Sequence, residues 1–378
     1  MLLGAIEVLK EVFLSFNATD MALDRTFKSH KKWGSRDRKT VAELIYFSLR
    51  NFSNFVTESE LHNYQNINFE LLVKKSAHRL GYKTDLAPLD FPLEKDPLVL
   101  PPWFLALLKE NKEDPEKIIF PQWIQGKVYF RLNPGRTNKW QLENKLKNEK
   151  LSFTDVNILP DGFLLKRNEV KIALKSLIGL GEIQDGASQL LCRELPLQKE
   201  MTVLDVCAGA GGKALYLSEL LDKKNSILVH DTSAKKLGEL EKRFIRNNRP
   251  YRIIKTSELD QFKNKADLVL VDTPCSGLGV LKRNPETLWQ MTPEKLRLVC
   301  NMQIELLKKY CELVKPGGYM AYMTCSVLKV ENDNQIAIFL NSDSRFKLLK
   351  EIKIYDNPNA KISLEYFDGM YLAVLAKI

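Results

Sequence analysis

Two cysteines in the last third of the chain have the surroundings expected of reactive thiols. Cys275 lies in the run DTPCSG and Cys325 in the run MTCS, and each follows an apolar stretch typical of a buried strand. A side chain just beyond the carboxyl end of a parallel strand faces the crevice where open α/β sheets bind ligands. Because cysteine can act as a covalent nucleophile, the two runs indicate covalent chemistry by one or both thiols.

The remaining cysteines are interpreted as small packing residues, which is the commoner role of a free cysteine. They are Cys192, Cys207, Cys300 and Cys311. All six cysteines fall between Cys192 and Cys325 without a CxxC pair, and the chain has only four histidines. This distribution argues against a zinc site and against a secreted disulfide framework, so no metal is expected.

A glycine-rich turn precedes both cysteines in the run VLDVCAGAGGKALYL. Gly209, Gly211 and Gly212 allow a tight turn between a strand and a helix, where the backbone can approach a ligand closely. The spacing is neither GxGxxG nor a phosphate-binding P-loop, because alanine follows Lys213. It is typical of S-adenosylmethionine-dependent methyltransferases, although a tight turn without a ligand is the alternative.

An acidic residue follows the next strand-like stretch, in SILVHDTSAKKL. Asp231 comes about twenty residues after the glycine turn, where a carboxylate can accept hydrogen bonds from ribose hydroxyls. The alternative is a helix-capping role, which Ser233 could fill equally well. With the glycine turn in front of it, we favour the ribose role.

The composition is that of a globular protein with a basic surface. The chain has 378 residues, 44% of them hydrophobic, and 57 basic against 47 acidic residues give a net charge of +10. Nucleic acid is the usual polyanionic partner of such a chain, although many mildly basic proteins bind none. The first residues, MLLGAIEVLKEVFLSF, indicate an amphipathic helix rather than a signal peptide, and no run is long enough to span a membrane. We therefore expect a cytoplasmic protein.

The pattern of apolar residues divides the chain into four parts. Residues 1–95 contain helical patterns and end in the proline-dense run DLAPLDFPLEKDPLVLPPWF, and 96–124 form a helical connector. Residues 125–182 predict a small α+β subdomain with a β-α-β-β order. Strand and helix patterns alternate over 183–378, which predicts an α/β fold with a parallel sheet covered on both faces and an antiparallel last strand.

Several of these runs together resemble the RNA cytosine-5 methyltransferases of the RsmB/NSUN family. The matching runs, in the family's order, are DVCAGAGGK, HDTSAKKL, DTPCSGLGVLKRNPETLW, MTCSVLKVEN and FDGMYLAVLAK. SRDRKTVAELIYFSLRN is similar to the NusB-like helical domain at the front of the RsmB branch, and FRLNPGRTN resembles the family's RNA-binding subdomain. The resemblance implies a Rossmann-like class I methyltransferase domain with a mostly parallel seven-stranded sheet.

The resemblance also implies a role for each reactive residue. Cys325 would add to carbon 6 of a cytosine, which makes carbon 5 nucleophilic enough to take a methyl group from S-adenosylmethionine. Cys275 would assist the elimination that removes the carbon-5 proton and frees the enzyme. Asp272 would contact the base, the methionine part of the cofactor, or both, and Lys213 would stabilise the cofactor or the adduct.

The implied cofactor site combines the glycine turn with two acidic residues. Its residues are Cys207, Ala208, Gly209, Ala210, Gly211, Gly212, Lys213, Asp231 and Asp272. The family commonly has proline where this chain has Ala210, a change expected to alter loop stiffness more than chemistry. Glu258 and Asp260 are alternatives for the acidic residue that holds the adenine.

A second set of residues is expected to bind RNA. In KVYFRLNPGRTNKW, aromatic and basic residues alternate, which suits stacking on bases together with phosphate contacts. The candidates are Arg131, Asn133, Arg136, Arg283 and Pro285. The target cytosine must be unstacked for a thiol to reach carbon 6, so a flipped or single-stranded base is expected.

The sequence therefore predicts a monomeric RNA cytosine-5 methyltransferase acting on small-subunit (16S) ribosomal RNA. A tRNA substrate is the nearest alternative, because the catalytic residues do not separate the two. A DNA cytosine methyltransferase would use Cys275 as the attacking thiol, but the cysteine of MTCS and the front domains argue against it. A non-catalytic ribosome-assembly factor that binds RNA is a further alternative.

Overall fold

The protein consists of two compact units that do not follow the linear order of the chain. A computed structural model describes residues 1–83, 100–221, 227–355 and 367–378. The helical unit comprises Met1–Trp123 and Val280–Lys295, and the sheet unit comprises Ile124–Gly279 and Leu296–Ile378. Most of the proline-dense run that was expected to close the first part lies outside the described residues.

The helices and strands are numbered in chain order. The helices are α1 (Leu2–Leu14), α2 (Thr19–Ser29), α3 (Ser35–Arg50), α4 (Phe52–Phe55), α5 (Glu58–His62), α6 (Phe69–Arg79), α7 (Pro102–Glu110), α8 (Pro115–Ile118), α9 (Lys139–Asn148), α10 (Val170–Ser176), α11 (Gly186–Arg193), α12 (Gly212–Leu220), α13 (Ala234–Asn247), α14 (Glu286–Gln290), α15 (Pro293–Tyr310) and α16 (Asp333–Ser342). The strands are β1 (Val128–Leu132), β2 (Phe153–Asp155), β3 (Gly162–Leu165), β4 (Gly181–Ile183), β5 (Val203–Asp205), β6 (Ile227–Val229), β7 (Tyr251–Ile253), β8 (Ala266–Asp272), β9 (Val314–Thr324), β10 (Phe346–Lys353) and β11 (Tyr371–Lys377). Among the described residues, no helix combines the length and apolar character needed to cross a membrane.

Helix α3 shows how the sequence forms the helical unit. The carboxylate of Asp37 accepts a hydrogen bond from the backbone N–H of Gly34 at 3.0 Å, which satisfies a donor that the first turn leaves free. The apolar positions then recur at the spacing of one helix face, as predicted. These buried positions are Val41, Leu44, Ile45, Ser48 and Leu49.

An aromatic cluster fills the core of the helical unit. The ring of Phe52 lies 4.4 Å from that of Phe13 and 5.1 Å from that of Trp289, and Trp123 meets Trp289 edge to face at 5.8 Å. The indole N–H of Trp289 donates to the carbonyl of Leu49 at 2.8 Å, so its polar atom is satisfied although the side chain is buried. Trp289 therefore anchors α14 in this core.

Trp289 belongs to a segment far along the chain from the rest of this unit. The sequence analysis placed Val280–Lys295 within the methyltransferase domain at 183–378, whereas its contacts group it with Met1–Trp123. The sequence contains no composition change at residue 280 that marks the transition. The helical unit is thus built from two separate stretches of chain.

The sheet unit begins with a small antiparallel sheet of order β2-β3-β1-β4. The predicted strand, helix and two strands around Pro160–Gly162 are present as β1, α9, β2 and β3. Helix α9 starts after Asn138, whose side chain accepts from the backbone N–H of Gln141 at 2.9 Å. Strand β4 completes the sheet and follows helix α10, and neither element was predicted. A strand of only three residues carries little periodic signal.

A seven-stranded sheet of order β10-β11-β9-β8-β5-β6-β7 forms the rest of this unit. Strands β9, β8, β5, β6 and β7 pair with one another in parallel. Strand β11 is antiparallel to both β9 and β10. The mostly parallel sheet and the antiparallel last strand are therefore confirmed.

Apolar residues cover this sheet on both faces, as its parallel strands require. Along β8, Leu268 and Leu270 belong to one buried cluster, whereas Val269 and Val271 belong to the other. Helices α11, α12 and α13 contribute to the first cluster, and α15 and α16 contribute to the second. The loops after the strands are then the part of the sheet available for binding and chemistry.

The packing of Trp289 predicts a large loss of stability on truncation. We expect Trp289→Ala to lower the free energy of unfolding by about 3–5 kcal/mol, because it leaves a cavity in the aromatic cluster. Trp140, which is 72% exposed, provides the matched control, and Trp140→Ala should leave stability unchanged. Urea unfolding measures both variants, and equal midpoints would contradict the assignment of Trp289 to a core.

Candidate active site

The glycine turn connects β5 to α12 in the conformation that its glycines allow. Gly211 caps α12 with φ +83°, a left-handed conformation, and an added Cβ would lie 2.6 Å from Leu240. The carboxylate of Asp231 accepts from the backbone N–H of Gly209 at 2.8 Å and from that of Ser233 at 2.8 Å. Asp231 thus stabilises both the glycine turn and the loop that leads into α13.

A cavity of about 570 Å³ lies over the carboxyl ends of β5, β6 and β8. Its walls include most of the predicted cofactor residues, together with both cysteines. Those residues are Cys207, Ala208, Gly209, Ala210, Gly212, Lys213, Asp231, Asp272, Cys275 and Cys325. Gly211 does not line the cavity and acts through the shape of the turn.

Helix α15 forms an apolar side of this cavity that the sequence analysis missed. Met302, Leu306 and Tyr310 recur every four residues and line it. The helical pattern of this segment was read only as packing through Cys300, Cys311 and their neighbours. The spacing of Met302, Leu306 and Tyr310 at intervals of four residues is the signal that could have distinguished the face lining the cavity from the packing face. Glu258 and Asp260, proposed alternatives for holding an adenine, are not among the lining residues.

The two cysteine thiols meet at one end of this cavity. Their Sγ atoms lie 2.6 Å apart, and the backbone N–H of Cys325 donates to Cys275 Sγ at 3.2 Å. Both are free cysteines. The side-chain hydrogen bond between the two thiols raises the pKa of Cys275 well above its ordinary value, and burial raises it further, whereas the backbone N–H of Cys325 lowers it. The neutral thiol of Cys275 therefore holds its proton beside the sulfur of Cys325.

A charged pair lies beside the thiols. Lys213 Nζ donates to Asp272 Oδ2 at 2.6 Å, and both side chains line the cavity. Burial lowers the pKa of Lys213, but the Asp272 carboxylate outweighs this and raises it above its ordinary value. The ammonium group is consequently a fixed positive charge at the end of the cavity where the thiols lie.

The other cysteines are poor candidates for nucleophiles. Burial raises the pKa of Cys192, Cys300 and Cys311 to about 12 in each case. Burial also raises the pKa of Cys207, which lines the cavity beneath the glycine turn. A thiol with a raised pKa is almost entirely protonated near neutral pH, so these four residues match the packing role expected of them.

Close backbone contacts join the segment after Cys275 to two others. The N–H of Gly279 donates to the carbonyl of Cys325 at 2.9 Å, and the N–H of Gly369 donates to the carbonyl of Gly279 at 2.6 Å. An added Cβ at Gly279 would lie 1.9 Å from the carbonyl oxygen of Gly369. Glycine is required at this position by the close approach of the two backbones.

The structure corrects the expectation that Arg131 and Asn133 contact RNA, because both side chains are fully buried. Arg131 forms an ion pair with Glu219 and lies over the ring of Tyr216. Asn133 donates to Asn247 Oδ1 at 3.4 Å. Both residues fix β1 to helices α12 and α13 within the sheet unit.

The other expected RNA contacts differ in exposure. Arg136 and Arg283 are exposed, whereas Pro285 is buried before α14. Of the three aromatic residues expected to stack on bases, Tyr129 and Phe130 are buried and Trp140 is exposed. Charge and exposure thus leave Arg136 and Trp140 available on the small sheet's side of the unit.

One group of side chains has the composition of a metal site. Ligand atoms of Cys311, Glu312 and Asp343 lie within 4.8 Å of one another. The guanidinium of Arg345 donates to Glu312 at 2.5 Å and to Asp343 at 2.7 Å. A positive charge therefore already occupies the position that a cation would take.

Comparison with known proteins shows which family the part of the chain around this site resembles. Residues 193–375 match the family described as 16S rRNA methyltransferase RsmB/F. The match covers the carboxy-terminal part of the chain, a little under half of its 378 residues. A probable ribosomal RNA small subunit methyltransferase B from Synechocystis is 32% identical over 64% of this chain and 56% of its own length. A relative of the same name from Bacillus subtilis is 29% identical over 62% of this chain and 54% of its own, so the chain spans a little over half of these relatives.

Solved structures show the same fold at lower identity. The crystal structure of PH0851 aligns with 99% of this chain and 98% of its own at a TM-score of 0.75 and 20% identity. NSun6 from Pyrococcus horikoshii with SFG aligns with 73% of this chain and 96% of its own, at a TM-score of 0.62 and 18% identity. Both are similar in the arrangement of the backbone.

The buried position of Arg131 predicts a structural effect on substitution. We expect Arg131→Ala to lower the free energy of unfolding by about 3–5 kcal/mol, because it leaves the Glu219 carboxylate buried without its cation. The double variant Arg131→Met with Glu219→Leu should recover much of this loss. Urea unfolding measures both variants, with Arg136→Ala as the exposed control. A stable Arg131→Ala protein with weakened RNA binding would restore the original expectation.

Asp205, buried at the end of β5, predicts a pH dependence of stability. Burial, and then the charge of Asp272, raises the pKa of Asp205 to about 8. The unfolded carboxyl titrates near pH ~3.9, so the folded protein binds this proton more tightly and stability falls as pH rises from about 4 to 8. Asp205→Asn keeps an oxygen for the N–H of Cys207, which lies 3.2 Å from the carboxylate.

We expect the free energy of unfolding of Asp205→Asn to exceed that of the wild type by about 1 kcal/mol or more at pH 9, and by less at pH 5. Urea unfolding at the two pH values measures this difference. Asp260→Asn, at an exposed surface carboxylate, is the control and should follow the wild-type profile. Parallel profiles for Asp205→Asn and wild type would contradict the raised pKa.

Proposed function

We propose that this protein is an S-adenosylmethionine-dependent RNA methyltransferase that forms 5-methylcytosine through a covalent cysteine adduct. The observation that carries the proposal is the pair of thiols, 2.6 Å apart, at the end of a cavity lined by the glycine turn. The match of residues 193–375 to the 16S rRNA methyltransferase RsmB/F family supports the reaction class. The similar fold of NSun6 from Pyrococcus horikoshii, a structure that contains SFG, supports a nucleoside-type cofactor in this cavity.

The residues of the cavity suit S-adenosylmethionine. Asp231 offers carboxylate oxygens at the end of β6 for ribose hydroxyls, and the stripe of Leu306 and Tyr310 offers an apolar wall for a purine. Lys213 and Asp272 lie at the opposite, thiol-bearing end, where they can hold the charged methionine part. When bound, the cofactor supplies a methyl group on a sulfonium centre.

The thiols have different tasks in the proposed reaction. The thiolate of Cys325 adds to carbon 6 of the cytosine, which converts carbon 5 into a nucleophile able to accept the methyl group. Carbon 5 then carries a proton that must pass to a base such as water, so that the bond between carbon 6 and Cys325 can break with the sulfur leaving as a thiolate. Cys275 lies against Cys325 and assists this elimination, which restores the aromatic ring and the free thiolate.

Small-subunit ribosomal RNA is the proposed substrate. The curated relatives carry that RNA in their names, and the chain's net charge of +10 suits a polyanion. The helical unit is proposed to be a NusB-like domain that assists RNA binding. Exposed Arg136 and Trp140 are proposed to contact phosphate and base. A monomeric state and a cytoplasmic location stay predictions.

The proposed roles predict opposite phenotypes for the two cysteines. We expect Cys325→Ala to lower methylation of protein-free small-subunit RNA by about a thousand-fold or more, because no adduct can form. Cys275→Ala should accumulate a covalent protein–RNA adduct, because elimination is blocked. Radiolabelled methyl transfer measures the first effect, and a denaturing gel shift measures the second.

Cys300→Ala is the matched control, since the Cys300 thiol donates to the carbonyl of Val330 and does not line the cavity, so this variant should retain activity. Adduct accumulation by Cys325→Ala instead would reverse the assigned roles. Full activity in both cysteine variants would exclude covalent catalysis.

A further inference from the structure

A buried carboxylate lies directly behind the two cysteines and is not used in the proposed reaction. The side chain of Glu331 is 0% exposed and lies just before α16. Within the described ranges it forms no ion pair with a lysine, arginine or histidine. A buried, unpaired carboxylate is costly unless several hydrogen bonds stabilise it, so its partners are informative.

Both oxygens of Glu331 are saturated by residues next to the thiols. Oε1 accepts from the backbone N–H of Ser276 at 2.7 Å and from the amide of Gln303 at 3.0 Å. Oε2 accepts from the hydroxyl of Ser276 at 2.5 Å and from the hydroxyl of Ser326. The carboxylate therefore binds the residue that follows Cys275 and the residue that follows Cys325.

Neighbouring hydrogen bonds extend this connection to the backbone of both loops. Gln303 also donates to the carbonyl of Pro274 at 3.1 Å, on the other side of Cys275. The Tyr322 hydroxyl donates to the carbonyl of Glu331 at 2.6 Å, and Asn332 donates to the carbonyl of Ser326 at 3.0 Å. Glu331 thus adds a buried side-chain connection to the direct hydrogen bonds between the two cysteine-bearing loops, which run from Gly279 to Cys325 and from Cys325 to Cys275.

The charge of Glu331 also acts on the thiols unequally. Its carboxylate adds to the rise in the pKa of Cys275 that the Cys325 hydrogen bond and burial produce, while the N–H of Cys325 opposes it. Lys213 interacts electrostatically with Cys325, and Asp272 holds that lysine in place. Glu331 and Tyr322 are therefore titratable groups that interact with Cys275, and Lys213, paired with Asp272, interacts with Cys325, whereas Cys300 interacts with Glu331 and Tyr322 behind the pair.

We propose that Glu331 is a positioning residue that holds Cys275 and Cys325 in contact and keeps the shared proton on Cys275, so that Cys325 is the reactive thiol. The consequence for catalysis rests on the proposed function. The arrangement of the thiols is a property of the free protein. It can therefore be tested without RNA or cofactor.

Glu331→Gln separates the charge of the side chain from its shape. The amide oxygen can still face the N–H of Ser276, and the serine hydroxyls can rotate to accept from the amide nitrogen. Glu331→Ala instead removes the side-chain connection that Glu331 makes between the loops. Glu182→Gln is the matched control, because Glu182 is a buried carboxylate of the same unit that bonds Asn247 at 2.9 Å and contacts neither cysteine.

Alkylation by iodoacetamide, followed by peptide mass spectrometry from pH 6 to 10, measures the reactivity of each thiol in the free protein. In wild type and Glu182→Gln, Cys325 should react faster than Cys275. Glu331→Gln should shift the Cys275 profile to lower pH and reduce the ratio of the two rates by about tenfold, the effect of one pKa unit. An unchanged ratio and profile in this variant would overturn the proposal.

A second measurement tests the connection between the loops. Introducing Glu331→Ala should slow formation of the Cys275–Cys325 disulfide by a thiol oxidant such as diamide, relative to wild type, because the thiols separate. Equal oxidation rates in a folded variant would overturn the positioning role. If wild type shows no methylation but Glu331→Gln changes the alkylation ratio, the proposed function fails and this inference stands.

If the proposed function and the positioning role of Glu331 are both correct, Glu331→Gln should lower kcat for RNA methylation. The KM for S-adenosylmethionine should stay near the wild-type value. A loss confined to KM would contradict an action through the thiols, since the cofactor residues are untouched.

Discussion

The register of two parallel strands determines whether this site exists. In the pairing of β8 with β9, Asp272 lies opposite Met323, so both strands end at the same edge of the sheet. The loops that follow then carry Cys275 and Cys325 to within 2.6 Å of each other. A slip of one residue would turn the side chains of one strand to the opposite face and separate the thiols. The apolar faces of β8, packed on both sides, make such a slip costly.

Three segments that are distant in the sequence approach one another closely beside the thiols. Gly279 contacts the carbonyl of Cys325 and lies against Gly369, just before the last strand. Glu331 adds a side-chain connection between the same loops. The chemistry of the thiols thus depends on groups that touch no substrate. The cavity can remain open to solvent because the groups that position its thiols, Gly279 and Glu331, are buried.

Much of the site could be predicted because its residues follow strands with strong patterns. Cys275 and Cys325 follow continuous apolar runs, and Asp231 follows a short one, so their position at the sheet edge is implied by periodicity. The burial of Arg131 could not be inferred, because its partner Glu219 lies far along the chain and a basic residue in an alternating strand normally faces solvent. The support from Glu331 was missed for the same reason, since hydrogen bonds across the fold leave no periodic signal.

The division of the helical unit into two stretches has a consequence for synthesis of the protein on the ribosome. Chains emerge from the amino end at roughly 5–20 residues per second, and early domains ordinarily fold as soon as they are complete. Here the first stretch, Met1–Trp123, lacks Trp289 until the glycine turn and the loop bearing Cys275 have been made. The nascent amino-terminal helices must therefore wait, with an incomplete aromatic core, for a piece of chain that follows the first reactive cysteine. Until then, Phe52 lacks the indole ring that packs against it in the folded protein.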